Sequence, residues 1–242
     1  MVVKDISFEK PVENILYDDV LLDLAERGQQ GEALRFWESR ETFVVLGRIS
    51  NLWEDVHVDR ARKDGIPVLR RSSGGGTVLQ GKGCLNFTLV LSKDVHPQII
   101  KLKESYQYIL EKVSRSLENL GIQSCVRPIS DLAVGENKFS GNAQKRGRAF
   151  ILHHGTILYD FNLSLIEKYL KIPRSMPEYR RERPHADFVA NLKHLKDFGR
   201  RWKKEMAGVF HATKKQGISD PEEKRLGEFV NTKEIVVDLK KL

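Results

Sequence analysis

Apolar residues recur at helical spacing between Val12 and Ala25: Val12, Ile15, Leu16, Val20, Leu21 and Leu24 share one side, and Gly28 follows as a stop. An amphipathic helix is predicted to open the fold. The period then changes. Thr42 to Leu46, Ile66 to Arg71, Thr77 to Gln80 and Leu85 to Leu91 are short runs rich in apolar and β-branched residues, parted by glycine-containing turns, and read as strands. Between Pro97 and Gly121 the positions of Ile99, Ile100, Tyr106, Ile109, Leu110, Val113, Leu117 and Leu120 predict the longest helix, closed by Gly121.

Strand signals return at Asp131 to Val134, Lys138 to Ala143 and Phe150 to Tyr159, with turns at 135–137 and 144–148, which predicts an antiparallel meander. Beyond Asp160 the chain turns helical and basic. Ser164 is placed to cap a short helix ending near Pro173, and Ser219-Asp220-Pro221-Glu222 starts another before a final strand, Glu234 to Leu239. Pro173 to Pro184, with four arginines and three prolines, reads as a long irregular loop of the kind that carries function. No internal repeat or low-complexity linker interrupts the 242 residues, so the expectation is one α+β domain over 1–242: a mixed, largely antiparallel sheet with helices packed on it.

Composition narrows the class. With 40% hydrophobic and 31% charged residues the chain is that of a globular protein, and 41 Lys+Arg against 33 Asp+Glu give a formal charge of +8, which favours acidic partners. Two cysteines, Cys84 and Cys125, are too few for a disulfide framework or a four-cysteine zinc site, and no motif supplies protein ligands to a metal. The amino terminus lacks the apolar core of a signal peptide, and no apolar run reaches the roughly 18 residues that span a bilayer. The expected setting is cytoplasmic, with no membrane partner. Aromatics are sparse at 8% and the basic residues are mostly interleaved with acids, so the alternative of a basic nucleic-acid-binding module finds no motif to support it.

Three segments carry candidate chemistry. Arg70-Arg71-Ser72-Ser73-Gly74-Gly75-Gly76-Thr77 lies between two predicted strands. A lone run of glycines is ordinarily a turn, but here two arginines and two serines precede it, a combination suited to close backbone approach and anion binding. It is neither a Walker loop, since no Gly-Lys-Ser/Thr follows, nor a dinucleotide fingerprint. The second segment, Asp131 to Ala143, brings Lys138 out of a tight turn into a strand among small residues, where an ammonium can meet charge developing on phosphate or carbonyl oxygen. The third is His153-His154-Gly155-Thr156. Neighbouring strand residues face opposite sides, so one histidine faces the cleft and the other the core, and Gly155 leaves room for a ligand against the backbone.

Arg-Arg-Ser-Ser-Gly-Gly-Gly-Thr-Val, then Asn86, then Lys138-Phe-Ser-Gly-Asn-Ala, then His-His-Gly-Thr resembles the lipoate-protein ligase A family of the biotin/lipoate ligase superfamily, in order and spacing, through about residues 40 to 192. The resemblance implies a class II synthetase-like fold and a two-step reaction: lipoate and Mg-ATP (ATP with Mg2+) form lipoyl-adenylate, and the acyl group passes to a lysine of an acidic lipoyl carrier domain. It implies that Lys138 is catalytic and contacts both acyl carbonyl and α-phosphate. Nucleotide contacts fall on Arg71, Gly76, Thr77, Val78, Leu79 and Lys138. Substrate contacts fall on Arg70, Ser73, Gly74, Gly75, Asn86, Asp131, Ser140, Gly141, His154 and Gly155. Leu46, Val78 and Leu152 are candidates to line an apolar tunnel for lipoate.

The sequence departs from the family in having Gln80-Gly81 and then Lys82-Gly83-Cys84 where many members carry His-Asp. Its length leaves no room for the family's appended accessory domain, so a separate accessory subunit or a preformed adenylate is expected. The competing enzyme reading is an octanoyl or lipoyl transferase of the same superfamily, with Cys125, 13 residues before Lys138, as thioester nucleophile.

Overall fold

The computed structural model describes residues 1–128, 130–192 and 195–241. Its elements run β1 (Val2–Asp5), α1 (Pro11–Glu26), β2 (Ala33–Trp37), β3 (Phe43–Leu46), α2 (Leu52–Asp55), α3 (Val58–Lys63), β4 (Val68–Arg70), β5 (Val78–Gln80), β6 (Cys84–Ser92), α4 (Leu102–Glu118), β7 (Cys125–Arg127), β8 (Asp131–Val134), β9 (Asn137–Arg146), β10 (Phe150–Leu158), α5 (Ser164–Tyr169), α6 (His185–Phe188), α7 (Phe198–Val209), β11 (Lys214–Lys215) and α8 (Asp220–Thr232). The α+β class and the largely antiparallel main sheet are as the sequence predicts.

Eight strands form that sheet in the order β11-β1-β2-β6-β10-β9-β8-β7. The first three are mutually parallel; from β2 onward every pair is antiparallel. One face buries Phe36, Phe87, Leu89 and Ile151 against Ile109, Leu110 and Val113 of α4 and Trp202 and Met206 of α7. Toward its β2 end the other face is covered by α1, which α8 covers in turn, with Leu16, Val20 and Leu24 packed together with Leu226 and Phe229. A second sheet, β4-β3-β5, was not anticipated. Its strands are only three or four residues long and have their own core, in which Val44, Leu46, Val68 and Leu79 pack with Val58, Ile166 and Tyr169 of α3 and α5.

The remaining differences have local causes. The opening helix is buried on both sides rather than amphipathic, because α8 covers its outer side; Asp18 and Asp19 are buried in it and paired with cations. The helix expected from Pro97 begins only at Leu102 after a turn of 3-10 helix, and Arg146 Nη2 captures the carbonyls of Ile99 and Ile100 at 2.6 Å each. Ser164 is the first residue of α5 rather than its cap. Its N–H and hydroxyl both donate to Asn162 Oδ1, and the helix stops at Tyr169, where Leu170 turns extended and bridges to Val56. Glu234 to Leu239 is no strand: it meets β4 at a single bridge, Val236 with Leu69, flanked by Arg70 N–H to Ile235 O (2.7 Å) and Val237 N–H to Val68 O (2.8 Å).

Candidate active site

A cleft of about 1230 Å³ lies between the two sheets. Its floor is one register row of the large sheet. Trp37 pairs with Asn86, Asn86 with Thr156, Thr156 with Gly141, Gly141 with Asp131 and Asp131 with Arg127, and all six border the cleft. Residues directly opposite across strands share a face, so the row crosses six strands, about 24 Å at roughly 4.8 Å per step. Chemistry changes along it. Ile15, Trp37 and Val45 make an apolar end; Arg127, Asp131 and Lys138 make a charged one. The Trp37 indole N–H is buried and has no hydrogen-bond partner among the described residues.

In the middle of the row three neutral side chains close a ring. Gln80 Nε2 donates to Thr156 Oγ1 (2.7 Å), Thr156 Oγ1 donates to Asn86 Oδ1 (2.5 Å), and Asn86 Nδ2 donates to Gln80 Oε1 (3.0 Å). Gln80, at the position where the sequence departs from the resemblance, is thus an uncharged group satisfied within the ring.

The neighbouring row, Arg35–Thr88–His154–Ala143, lies on the same face, and there three donors converge on Asp18 of α1: Arg35 Nη1 (2.6 Å), Thr88 Oγ1 (2.8 Å) and His154 Nδ1 (3.4 Å). Burial raises the Asp18 pKa, and the Arg35 guanidinium, His154 and the Thr88 hydroxyl together more than offset it, leaving the carboxyl below its ordinary range. His154 Nε2 in turn meets Ser73 Oγ at 2.7 Å, and Ser73 Oγ accepts from Arg71 Nε at 2.9 Å. The Asp18 carboxylate can only accept, so the histidine's Nδ1–H points to Asp18, and the Ser73 hydroxyl links His154 Nε2 to Arg71 and the glycine loop. His153 faces the opposite side, fully buried. It accepts at Nδ1 from Gln144 and donates from Nε2 to Asn142, and burial pushes its pKa down to about 3.

The glycine loop is braced by its own arginines. Arg71, 7% exposed, donates from Nη2 to the carbonyls of Gly74 (2.6 Å) and Gly76 (2.8 Å), while Arg70 Nη1 donates to those of Gly47 and Ser50 (2.8 Å each). Burial lowers the Arg71 pKa to about 10, still charged at neutral pH. Gly75 sits at φ +82°, where its Cβ would stand 3.0 Å from Arg71 Nη2, and a Cβ on Gly47 would fall 2.0 Å from the Gly75 carbonyl oxygen. Both positions therefore require glycine for the loop's shape. Ser72 is hydrogen-bonded to Asp19, which also pairs with Lys145 (2.9 Å), and Thr77 Oγ1 donates to Asp55 Oδ2 (2.6 Å).

Lys138 Nζ pairs with Asp131 Oδ1 at 2.8 Å; the lysine is half-buried rather than buried, its side chain 29% exposed. A Cβ on Gly141 would come within 3.1 Å of that ammonium, so this glycine vacates the space the lysine head occupies. The loop 173–184 borders the charged end as a strap. Tyr179 donates its hydroxyl to Asp131 Oδ2 (2.7 Å), Arg174 reaches Glu54 (3.0 Å), and Nη2 of buried Arg180 has no partner among the described residues.

Of the residues singled out from the sequence, Arg71, Gly75, Gly76, Thr77, Val78, Leu79, Asn86, Asp131, Lys138, Ser140, Gly141, His154 and Gly155 border the cleft. Arg70, Ser73 and Gly74 do not; Ser73 is 1% exposed and stands behind the loop. Leu46 and Leu152 belong to the cores of the small sheet and of α1, leaving Val78 of the three tunnel candidates on the wall. Gly155 makes room for protein rather than ligand, since its Cβ would fall 1.9 Å from Asn142 Oδ1 and 2.6 Å from the Phe87 ring. Cys125 lies on edge strand β7, its thiol 3.4 Å from the Ala133 carbonyl, away from the cleft wall; burial pushes the Cys84 thiol far up. Trp37, Gly47, Asp18 and Tyr179 were not anticipated. Adjacent aspartates inside an apolar helix were the one available signal, for Asp18.

The family model of the lipoyl protein ligase A/B catalytic domain matches residues 10–207, which take in β2 to β10 and the glycine loop; the chain belongs to that family. Among relatives, a lipoate-protein ligase A of Psychrobacter cryohalolentis is 34% identical over 137 residues, 57% of this chain and 38% of its own. A probable lipoate-protein ligase A of Mycoplasma pneumoniae is 28% identical over 165 residues, 68% of this chain and 47% of its own. The chain spans about half the length of the curated relatives it matches. Among solved structures, a bipartite lipoate protein ligase of Thermoplasma acidophilum, described with its E2 lipoyl domain, superposes with a TM-score of 0.79 at 24% identity over 96% of this chain and 92% of the other. A lipoate-protein ligase A bound with ATP gives 0.79 at 23% over 96% and 94%.

Proposed function

We propose that the chain joins lipoate to ATP as lipoyl-adenylate and passes the lipoyl group to a lysine of an acidic lipoyl carrier domain, in a cytoplasmic setting. The observation that carries this reading is the row itself: an apolar end closed by Trp37, a neutral polar middle, and a charged end where the Lys138 ammonium pairs with Asp131. That order suits an extended acid whose carboxylate must meet a nucleotide phosphate. In the first step the carboxylate oxygen attacks the α-phosphorus and pyrophosphate leaves; in the second the carrier amine attacks the acyl carbonyl and AMP leaves. Lys138 compensates the negative charge that builds in both, and neither step needs a side-chain nucleophile.

Magnesium enters with the nucleotide in this scheme. Four of the cleft's carboxylates are engaged, Asp18 by Arg35, Asp55 by Thr77, Asp131 by Lys138 and Glu54 by Arg174, and among the described residues there is no group of three or more His, Cys, Asp or Glu placed to hold a metal. Mg2+ suits the triphosphate oxygens instead. We take residues 1–242 as one catalytic domain, and the bipartite construction of the archaeal neighbour supports including a separate accessory chain in the proposal.

Incubation with Mg-ATP, lipoate and a carrier domain, following pyrophosphate release and carrier mass together, tests the reading. Carrier acylation from preformed lipoyl-adenylate but not from lipoate and Mg-ATP points to the accessory chain; acylation from neither donor refutes the reading. Cys125→Ser should leave lipoylation within about twofold of wild type, because the thiol faces a strand carbonyl and not the cleft. An acyl-enzyme seen by intact mass and lost in Cys125→Ser would instead establish the transferase.

A further inference from the structure

We infer that Tyr179 is a positioning residue for the Lys138 ammonium, acting through the carboxylate of Asp131. The inference rests on the ligase reading for its kinetic consequence and on geometry alone for its structural one.

The backbone of Lys138 is fixed: its carbonyl accepts from Ala190 N–H at 2.9 Å, next to a bridge with Val189. The ammonium is not fixed by backbone. Four methylene groups separate it from the strand, and the bare Cα of Gly141 leaves the space around it open. Asp131 supplies the fixed point, at 2.8 Å through Oδ1. A carboxylate with one partner can rotate; this one is held at its second oxygen by the Tyr179 hydroxyl at 2.7 Å.

Tyr179 is itself anchored independently of Lys138. Its ring lies 5.1 Å from that of Phe188, the Arg127 guanidinium stands 5.6 Å over it, and its carbonyl accepts from Arg183 Nη2, the nitrogen that also donates to the Glu136 carbonyl. Burial, with Asp131 alongside, holds the phenol well above its ordinary range, so the hydroxyl remains a donor at any working pH. The strap thus sets the plane of the carboxylate, and the carboxylate sets the place of the lysine head. Without the hydroxyl, Oδ2 is free to turn toward Lys138 and draw it off the point where carbonyl and phosphate meet, and misplacement on the scale of 1 Å costs up to about a hundredfold in rate.

Tyr179→Phe in the full chain tests this with two readouts. The first is lipoate-dependent ATP–pyrophosphate exchange: kcat should fall about tenfold while KM for ATP and for lipoate stays within twofold. The second is the 13C-dimethyl signal of reductively methylated Lys138, identified by its loss in Lys138→Arg, which should move in Tyr179→Phe while the other lysine signals stay in place. An unmoved Lys138 signal overturns the inference, even if kcat falls, because the tyrosine is then structural only. An unchanged kcat in an active enzyme overturns it as well. Exchange absent from the wild type, with no carrier acylation from preformed lipoyl-adenylate either, would sink the ligase reading instead, and the lysine signal would still decide the geometry.

Discussion

The glycine loop and the strap border the same cleft, and both are rich in arginine, yet the loop turns both of its arginines onto backbone carbonyls, whereas the strap does so with Arg180 and Arg183 and leaves Arg174 and Arg181 exposed. In the loop, Arg70 and Arg71 turn onto backbone carbonyls and hold the chain's shape. In the strap, Arg174 is 78% exposed on its ion pair, Arg181 is exposed, and Nη2 of Arg180 has no partner among the described residues. The difference follows from what surrounds each segment. Three successive glycines leave carbonyls that no side chain of their own can shield, and a buried guanidinium with five donors satisfies several at once. The strap has Phe188 as its apolar anchor, with Arg180 and Arg183 stacked on it at 4.7 and 5.3 Å, so its shape depends less on donors from the exposed arginines. Arginine content alone therefore does not mark an anion site; the partners of the guanidinium do.

Lys138, between the two regions, should show the largest effect. Lys138→Ala is expected to lower adenylate formation by more than about a hundredfold, the scale for loss of a key electrostatic donor, with an unchanged melting temperature. Acidification gives the next largest effect, through His153 on the face of the large sheet away from the cleft. Its folded pKa of about 3 lies below the ordinary value of 6.5, so the unfolded chain binds the proton first. Its contribution is complete above pH 6.5 and is lost as pH falls toward 3, by about 3–5 kcal/mol. Urea midpoints across that range should show a shallower decline in His153→Gln than in wild type.

The arginines themselves sharpen the contrast. Arg71→Ala, which strands buried carbonyls, should cost about 2–3 kcal/mol in urea unfolding and reduce activity as well. Arg181→Ala should stay within about 0.5 kcal/mol of wild type and raise KM for an acidic carrier a few-fold, an effect that fades with added salt. Equal destabilisation by the two would abolish the distinction.

The sequence carries the elements that are regular and local. The meander 131–159 was legible from its alternation and its turns, although β9 runs three residues past Ala143 into the expected turn, and strand geometry put His153 and His154 on opposite sides without saying which faces the cleft. Strands β1 and β2 were not legible: Lys4 and Arg35 interrupt their apolar runs, and both are fully buried in ion pairs with Glu222 and Asp18, residues 218 and 17 positions away. The same limit applies at the site. Lys138, Gly75 and Asn86 lie in recognisable motifs, whereas Trp37, Asp18 and Tyr179 enter through register and through a strap contact with no local pattern. Gly155 shows the reverse error, a glycine whose bare Cα serves the packing of Asn142 and Phe87.

The register row also acts as a ruler. From Trp37 on β2 to Gly141 on β9, over which the Lys138 head sits, there are three inter-strand steps, about 14 Å at roughly 4.8 Å each. That distance is set by backbone hydrogen bonds, which neither stretch nor repack. Side-chain substitutions along the row can widen or narrow the channel, but the chain length that reaches from indole to ammonium is fixed by the number of strands, and changing it would require rebuilding the sheet.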